Sequence, residues 1–95
     1  MAFPESFLQD LKMRNDITDV VSGYVNLKRQ GRNMVGLCPF HGEKTPSFNV
    51  YSESGSFYCF GCGVGGDVVS FIMRIENLDY VDAIKYLAQR AGLDM

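Results

Sequence analysis

The chain has 95 residues, of which 46% are hydrophobic, 13% aromatic and 21% charged, and its formal net charge is −2. This composition is typical of a small globular domain, and it excludes disordered, collagen-like and membrane-spanning chains. The first residues lack a secretory signal, and three cysteines cannot all pair within one chain. We therefore expect one cytoplasmic domain over residues 1–95, with thiols that are reduced or bound to metal.

Two short helices are predicted before residue 23. Pro4 suits the start of a helix, and apolar residues at helical spacing predict a first helix over residues 5–13. Asp16 is a predicted N-cap of a second, very short helix, which Gly23 ends. Both helices are expected to lie within about residues 5–22.

The middle of the chain has the sequence pattern of β-strands. Residues 24–28 alternate between apolar and polar, residues 34–37 can pair with them, and residues 30–33 supply a turn, which predicts a hairpin. Residues 47–50 and 56–59 predict two further strands, joined by a turn at residues 52–55. Gly63, Gly65 and Gly66 are interpreted as a turn that ends the β region, which spans about residues 24–63.

Two more helices are predicted after this region, over about residues 67–91. Asp67 is the predicted N-cap of the first, which ends near residue 76. Asp79 is the predicted N-cap of the second, which Gly92 ends. The expected fold is α+β, with a central antiparallel sheet flanked by short helices.

All the cysteines and the one histidine form two short motifs with the spacing of metal ligands. Cys38 and His41 form C-x2-H, Cys59 and Cys62 form C-x2-C, and 17 residues separate His41 from Cys59. Two such motifs on neighbouring hairpins can complete a tetrahedron around zinc, and a thiolate-rich set with one imidazole favours zinc over iron. We predict one structural zinc ion per chain, because four protein ligands leave no position for a reactive water.

A competing interpretation treats Cys59 and Cys62 as a redox dithiol. His41 would then be a surface residue and Cys38 a buried apolar residue. A redox C-x2-C motif usually begins a helix in a βαβ unit, whereas here glycines follow it. The zinc interpretation is therefore favoured.

Basic residues concentrate in the middle of an otherwise acidic chain. Residues 24–50 carry four basic side chains and one acidic side chain, Glu43, which gives +3, whereas the remaining residues carry five basic and ten acidic side chains, which gives −5. A local basic patch indicates a nucleic-acid partner better than the net charge does.

Residues 27–33 (LKRQGRN), 36–48 (GLCPFHGEKTPSF) and 59–63 (CFGCG) resemble the N-terminal zinc-binding domain of bacterial DNA primases of the DnaG type, a CHC2-type zinc finger. The resemblance extends over essentially the whole chain and implies a zinc-ribbon fold. It also implies contact with single-stranded template DNA during synthesis of RNA primers for replication. The family's polymerase domain with its catalytic Mg²⁺, and the regions that contact the replicative helicase, lie outside this chain, so we predict no catalytic residue here.

This sequence departs from the family's pattern at three places. Met34 replaces a frequent aromatic residue, Tyr58 replaces a frequent histidine or polar residue, and the turn at residues 51–56 lacks a common lysine. These departures concern the DNA contact and leave the metal ligands unchanged.

The expected DNA-contacting residues combine cations for phosphates with rings that stack on bases. They are Lys28, Arg29, Arg32, Lys44, Phe48 and Tyr58. Arg29 has a solvated surface position as its alternative, and Phe48, like Phe57, is more often a core residue. Phe57 is expected beneath the metal and Tyr58 on the opposite face, while Phe40 and Phe60 either shield the zinc or stack on bases.

Three other functions stay open at this stage. One alternative is a stand-alone zinc-ribbon adaptor that binds proteins. Another is the zinc module of a phage or plasmid primase. A redox switch that releases zinc on oxidation is a third, and it is compatible with template recognition in a primase.

Overall fold

The computed structural model describes residues 3–42 and 44–93, so Glu43 of the basic segment lies outside the described residues. Within these residues, short helices flank a five-stranded antiparallel sheet whose strands follow the chain order. The elements are α1 Glu5–Arg14, α2 Ile17–Ser22, β1 Lys28–Gln30, β2 Asn33–Gly36, β3 Phe48–Tyr51, β4 Ser56–Cys59, β5 Gly65–Asp67, α3 Val68–Ile75 and α4 Tyr80–Ala91. The α+β class predicted from the sequence is confirmed.

The helix ends follow the local chemistry of the sequence. Three predicted N-cap side chains, those of Asp16, Asp67 and Asp79, each accept a hydrogen bond from the backbone N–H three residues later. Gly92 ends α4 in the left-handed conformation, with φ of 73°. The four predicted helices are confirmed, and α1 extends one residue beyond its predicted end.

The first predicted hairpin exists, but its first strand was predicted too early in the chain. The backbone N–H groups of Tyr24 and Val25 donate to the Val21 carbonyl, so residues 24–27 continue from α2 instead of pairing with β2. The alternation there reflects the burial of Val25 against the core. The turn contains only two residues between the strands, and Gly31 adopts the positive φ of 66° that such tight turns require.

The prediction that the glycines after Cys62 form only a turn was wrong, because residues 65–67 form β5 and pair with β4. A Cβ atom on Gly65 would lie 2.8 Å from the Tyr58 ring, so the ring covers this glycine. Two of its residues are glycines because a Cβ atom at 65 would meet the Tyr58 ring and one at 66 would meet Ser70, and Gly66 also has a positive φ of 152°.

The sheet has two different faces. One face packs on the helices and contains fully buried side chains, namely those of Phe48, Val50 and Phe57. We call the opposite surface the outer face. It is defined by the side chains that lie side by side across the five strands, those of Lys28, Val35, Asn49 and Tyr58, together with Gly65.

Candidate metal centre and nucleic-acid interface

The first metal-binding motif follows strand β2 and is anchored by an aromatic ring. The backbone N–H of Phe40 donates to the Cys38 sulfur over 3.4 Å. The Phe40 ring packs inward against Phe48 and Phe71, with ring centroids 6.0 and 5.6 Å apart. The Arg74 guanidinium lies 6.0 Å from the centroid of the same ring. Phe40 therefore holds the motif against the core, where its ring is partly buried.

The second motif begins where strand β4 ends at Cys59. The Cys59 N–H donates to the Val64 carbonyl, and the Gly63 N–H returns to the Cys59 carbonyl, both over 2.8 Å. Gly63 has a positive φ of 79°, which allows the chain to turn back within four residues. The motif thus presents the Cys59 and Cys62 sulfurs toward the same point as the first motif.

The fold brings all four sequence-predicted ligands together. One donor atom from each of Cys38, His41, Cys59 and Cys62 lies within 4.8 Å of every other. The Cys38 and Cys62 sulfurs are 3.9 Å apart, and the Cys59 sulfur is 4.0 Å from His41 Nδ1. A tetrahedron with Zn–S bonds of about 2.3 Å and Zn–N bonds of about 2.0 Å has edges of about 3.8 Å between sulfurs and about 3.5 Å between sulfur and nitrogen. The donor set fits zinc in both chemistry and spacing.

The two buried cysteines have opposite electrostatic surroundings. Burial raises the pKa of Cys38 to about 12, although the Phe40 N–H acts to lower it. Burial also acts to raise the pKa of Cys59, but hydrogen bonds from the Ser47 hydroxyl and from the backbone of Cys62 and Gly61 outweigh it and bring the pKa to about 7. A coordinated zinc ion deprotonates both thiols, since it binds the thiolate form.

Next to the metal centre, the outer face carries a pair of aromatic side chains. The Tyr58 and Phe60 rings meet edge to face, with centroids 4.9 Å apart. Tyr58 is 39% exposed and Phe60 is 68% exposed. Phe60 therefore points into solvent, whereas Phe40 packs against the core. The sequence alone did not distinguish these two phenylalanines.

Two of the four predicted cations lie together. Lys28 and Lys44 line one shallow groove of about 300 Å³, together with Val35 of the outer face, the half-exposed Leu37 and Pro46. This groove continues the outer face at its β1 edge. Lys28 and Tyr58 lie at opposite ends of one row of side chains that crosses strands β1 to β4. The two lysines and the exposed aromatic pair are therefore on the same surface of the sheet.

The other predicted contacts lie elsewhere. Arg29 follows Lys28 on β1 and pairs with Met34, so its side chain leaves the sheet on the helix-covered side. Arg32 lies in the hairpin turn, with its guanidinium 3.9 Å from the Glu53 carboxylate. Phe48 has no exposed surface, since its ring is enclosed by Phe40, Phe57 and Phe71. Assigning Phe48 to DNA contact is therefore wrong for this conformation.

A small antiparallel sheet that ends in two ligand-bearing turns defines the class of this protein as a zinc ribbon. The chain belongs to the CHC2 zinc finger family, because the sequence model of that family matches residues 3–95. The resemblance inferred from the motifs is confirmed. None of the described helices has the length and apolar character needed to cross a membrane.

The chain is similar to several DNA primases over nearly its full length. It is 54% identical over 92 residues to the DNA primase of Geobacillus stearothermophilus, matching 97% of this chain and 15% of that protein. Identity is 50% to the DNA primases of Listeria monocytogenes and Pseudomonas putida, each over 97% of this chain, and over 15% and 14% of those proteins. The chain therefore spans about one seventh of the length of these curated relatives.

A solved structure of the Aquifex aeolicus primase, which contains zinc-binding and RNA polymerase domains, has the same fold. The TM-score is 0.88 with 43% sequence identity, and the match covers 94% of this chain and 22% of that chain. The zinc-ribbon architecture predicted from the sequence is therefore confirmed.

Proposed function

We propose that residues 1–95 form the zinc-binding, template-contacting domain of a bacterial DNA primase. In this proposal one structural zinc ion is held by Cys38, His41, Cys59 and Cys62. The outer face, extended by Phe60 and the Lys28–Lys44 groove, binds single-stranded template DNA.

The proposed zinc role is structural and follows from the number of donors. Four protein ligands close a tetrahedron, so the ion has no open position at which to activate water. When bound, zinc supplies a crosslink between the turn after β2 and the turn after β4. This crosslink fixes the edge of the sheet from which Phe60 projects.

The observation that carries the DNA proposal is the exposed Tyr58–Phe60 pair on the same surface as two lysines. Proteins that bind single strands combine aromatic rings for the bases with cations along the backbone. Base stacking contributes about 1–3 kcal/mol per base, and each cation adds salt-sensitive attraction to a phosphate.

Within an intact primase the proposed contribution of this chain is positional. It holds the template while a separate polymerase domain with Mg²⁺ joins nucleotides, and other regions contact the replicative helicase in the cytoplasm. The first bond between two nucleotides depends most on such positioning, because no primer yet anchors the complex.

The first experiment titrates the zinc-loaded chain into a fluorescently labelled single-stranded oligonucleotide and into the same sequence as a duplex, at several salt concentrations. We expect binding that favours the single strand and weakens linearly on a plot of log K against log salt concentration. A stand-alone protein-interaction adaptor would show no such binding, and that result would refute the proposal.

A second experiment tests the positional role in full-length primase carrying Cys62→Ser. We expect de novo primer initiation to fall at least tenfold more than extension of a supplied primer. Equal loss of both activities would assign the domain to general support of the polymerase fold.

A further inference from the structure

We infer that Ser47 is a positioning residue of the metal centre, whose hydroxyl donates a hydrogen bond to the Cys59 thiolate and thereby strengthens zinc binding. This inference rests on the zinc site of the proposed function. It assigns a role to a residue outside the two motifs, on the segment that leads into β3.

The contact that carries the inference joins the Ser47 hydroxyl to the Cys59 sulfur over 3.4 Å. A thiolate has no proton to donate, so the hydroxyl must be the donor when zinc is bound. Cys59 has no exposed surface, whereas Cys62 is exposed to solvent. Water can therefore stabilise Cys62 but not Cys59, which depends on donors from the protein.

The backbone of Ser47 is fixed to the same motif. The Phe60 N–H donates to the Ser47 carbonyl over 2.9 Å, and the Asn49 side-chain amide donates to the same oxygen over 3.1 Å. The Ser47 backbone is therefore hydrogen-bonded to Phe60, the residue that follows Cys59. This arrangement fixes the Ser47 backbone beside Cys59 before the metal binds, so less backbone freedom is lost when the hydroxyl bonds to the sulfur.

A glycine makes space for this contact. A Cβ atom on Gly61 would lie 3.0 Å from the Ser47 hydroxyl oxygen and 2.9 Å from His41 Nε2. A side chain at position 61 would therefore press on both the proposed donor and a metal ligand. The glycine in C-F-G-C therefore leaves space for the Ser47 hydroxyl.

The electrostatic reason follows from the ligand set. Three thiolates, one neutral imidazole and Zn²⁺ carry a net charge of −1, and the part of that charge on Cys59 is buried. A buried charge needs hydrogen-bond donors around it. Groups that hydrogen-bond to metal ligands typically change metal affinity about 10–100-fold when they are removed.

The test compares this chain with Ser47→Ala, Ser47→Thr and Ser56→Ala. The threonine variant keeps the hydroxyl. Ser56→Ala is the matched control, because Ser56 lies on the strand of Cys59 but bonds to the Ser54 hydroxyl over 2.6 Å. Zinc affinity is measured by competition with a chelator, and the sulfur-to-metal charge-transfer band is recorded with Co²⁺ in place of zinc.

For Ser47→Ala we expect zinc affinity to fall about 10–100-fold and the Co²⁺ band to move to lower energy, since an unbonded thiolate is a stronger electron donor. Ser47→Thr should remain close to the original chain, and Ser56→Ala should match it within twofold. Unchanged affinity and band position in Ser47→Ala would overturn the inference while leaving the zinc site intact.

Other outcomes also decide the question. Equal losses in Ser47→Ala and Ser47→Thr, or failure of both to fold with zinc, would assign Ser47 to packing and overturn the inference. If the original chain binds no zinc, both the inference and the proposed zinc site are wrong.

Discussion

The two faces of the sheet contain neighbouring residues with opposite roles. Phe57 and Tyr58 are adjacent on β4, yet Phe57 is 2% exposed and Tyr58 is 39% exposed. Phe57 meets Phe48 and Phe71, with ring centroids 5.3 and 5.6 Å apart, whereas Tyr58 meets the solvent-facing Phe60. One face supplies stability by burial, and the other leaves its rings exposed, as the proposed DNA contact requires.

If the outer face binds DNA as proposed, this small domain separates stability from binding. The helix-covered face cannot change without cost, because large-to-small substitutions there leave cavities. The outer face contributes less burial, since the Tyr58 ring packs only over Gly65 and against the exposed Phe60. The proposed zinc ion would crosslink the turns next to both faces, so we expect both to depend on it.

Removal of zinc is expected to have the largest effect, because it disturbs both faces. Treatment with a strong chelator, or the substitution Cys59→Ser, should abolish cooperative thermal unfolding and single-strand binding together. Structural zinc supplies about 10–16 kcal/mol of apparent folding free energy in zinc-finger peptides, which is comparable with the whole stability of a domain. Circular dichroism and oligonucleotide titration measure the two losses.

Restoring zinc to the chelated chain should recover both properties, whereas Mg²⁺ should not. A chain that melts cooperatively and binds DNA without zinc would contradict the role of the metal.

Phe57→Ala is expected to have the next largest effect, and on stability alone. The substitution removes a ring from the buried aromatic cluster and should lower the free energy of unfolding by about 3–5 kcal/mol. Denaturant titration of the zinc-loaded variant measures it. A loss below about 1 kcal/mol would mean that the cluster does not hold the sheet to α3.

Phe60→Ala removes a ring beside the outer face. It should lower single-strand affinity and leave stability almost unchanged. Because Phe60 is 68% exposed, the free energy of unfolding should change by less than about 0.5 kcal/mol. Single-strand affinity should fall about 5–150-fold, corresponding to about 1–3 kcal/mol of lost stacking. Unchanged affinity would remove Phe60 from the binding surface.

Lys28→Ala and Arg29→Ala should have smaller effects on DNA binding and compare the two faces directly. Their side chains are adjacent on β1 but point to opposite faces of the sheet. Lys28→Ala should lower the slope of log K against log salt concentration by about 0.7, the value for one phosphate contact on a single strand. Arg29→Ala should change the slope less. A larger effect at Arg29 would place the DNA on the other side of the edge strand.

Arg32→Ala and Lys85→Ala should change single-strand affinity and its salt dependence little in the same titration. Arg32 lies beside Glu53, which offsets its attraction to a phosphate, and Lys85 is on α4. Arg90 is a poor control because its guanidinium donates to the buried Asn15 over 3.1 Å.

The features that the sequence predicted well depend on local chemistry. Asp16, Asp67 and Asp79 mark the helix starts because a carboxylate can satisfy exposed N–H groups within its own turn. The residue type and spacing of the four metal ligands likewise predict the metal site from the sequence alone.

The features that the sequence missed depend on contacts between distant segments. Strand β5 pairs with β4 and places Gly65 under the Tyr58 ring, which neither segment indicates by itself. Asn15 has a polar side chain but is 1% exposed, because its amide donates to the Leu11 and Leu87 carbonyls. Phe40 packs inward and Phe60 points into solvent, and this difference depends on how the two motifs pack together in the fold.

Amide chemical-shift mapping of the zinc-loaded chain during titration with a single-stranded oligonucleotide tests the assignment of DNA binding to the outer face most directly. The largest shifts should occur at Lys28, Asn49, Tyr58 and Phe60, with small shifts along α4. Shifts concentrated on α4, with the outer face unperturbed, would contradict the division of roles between the two faces.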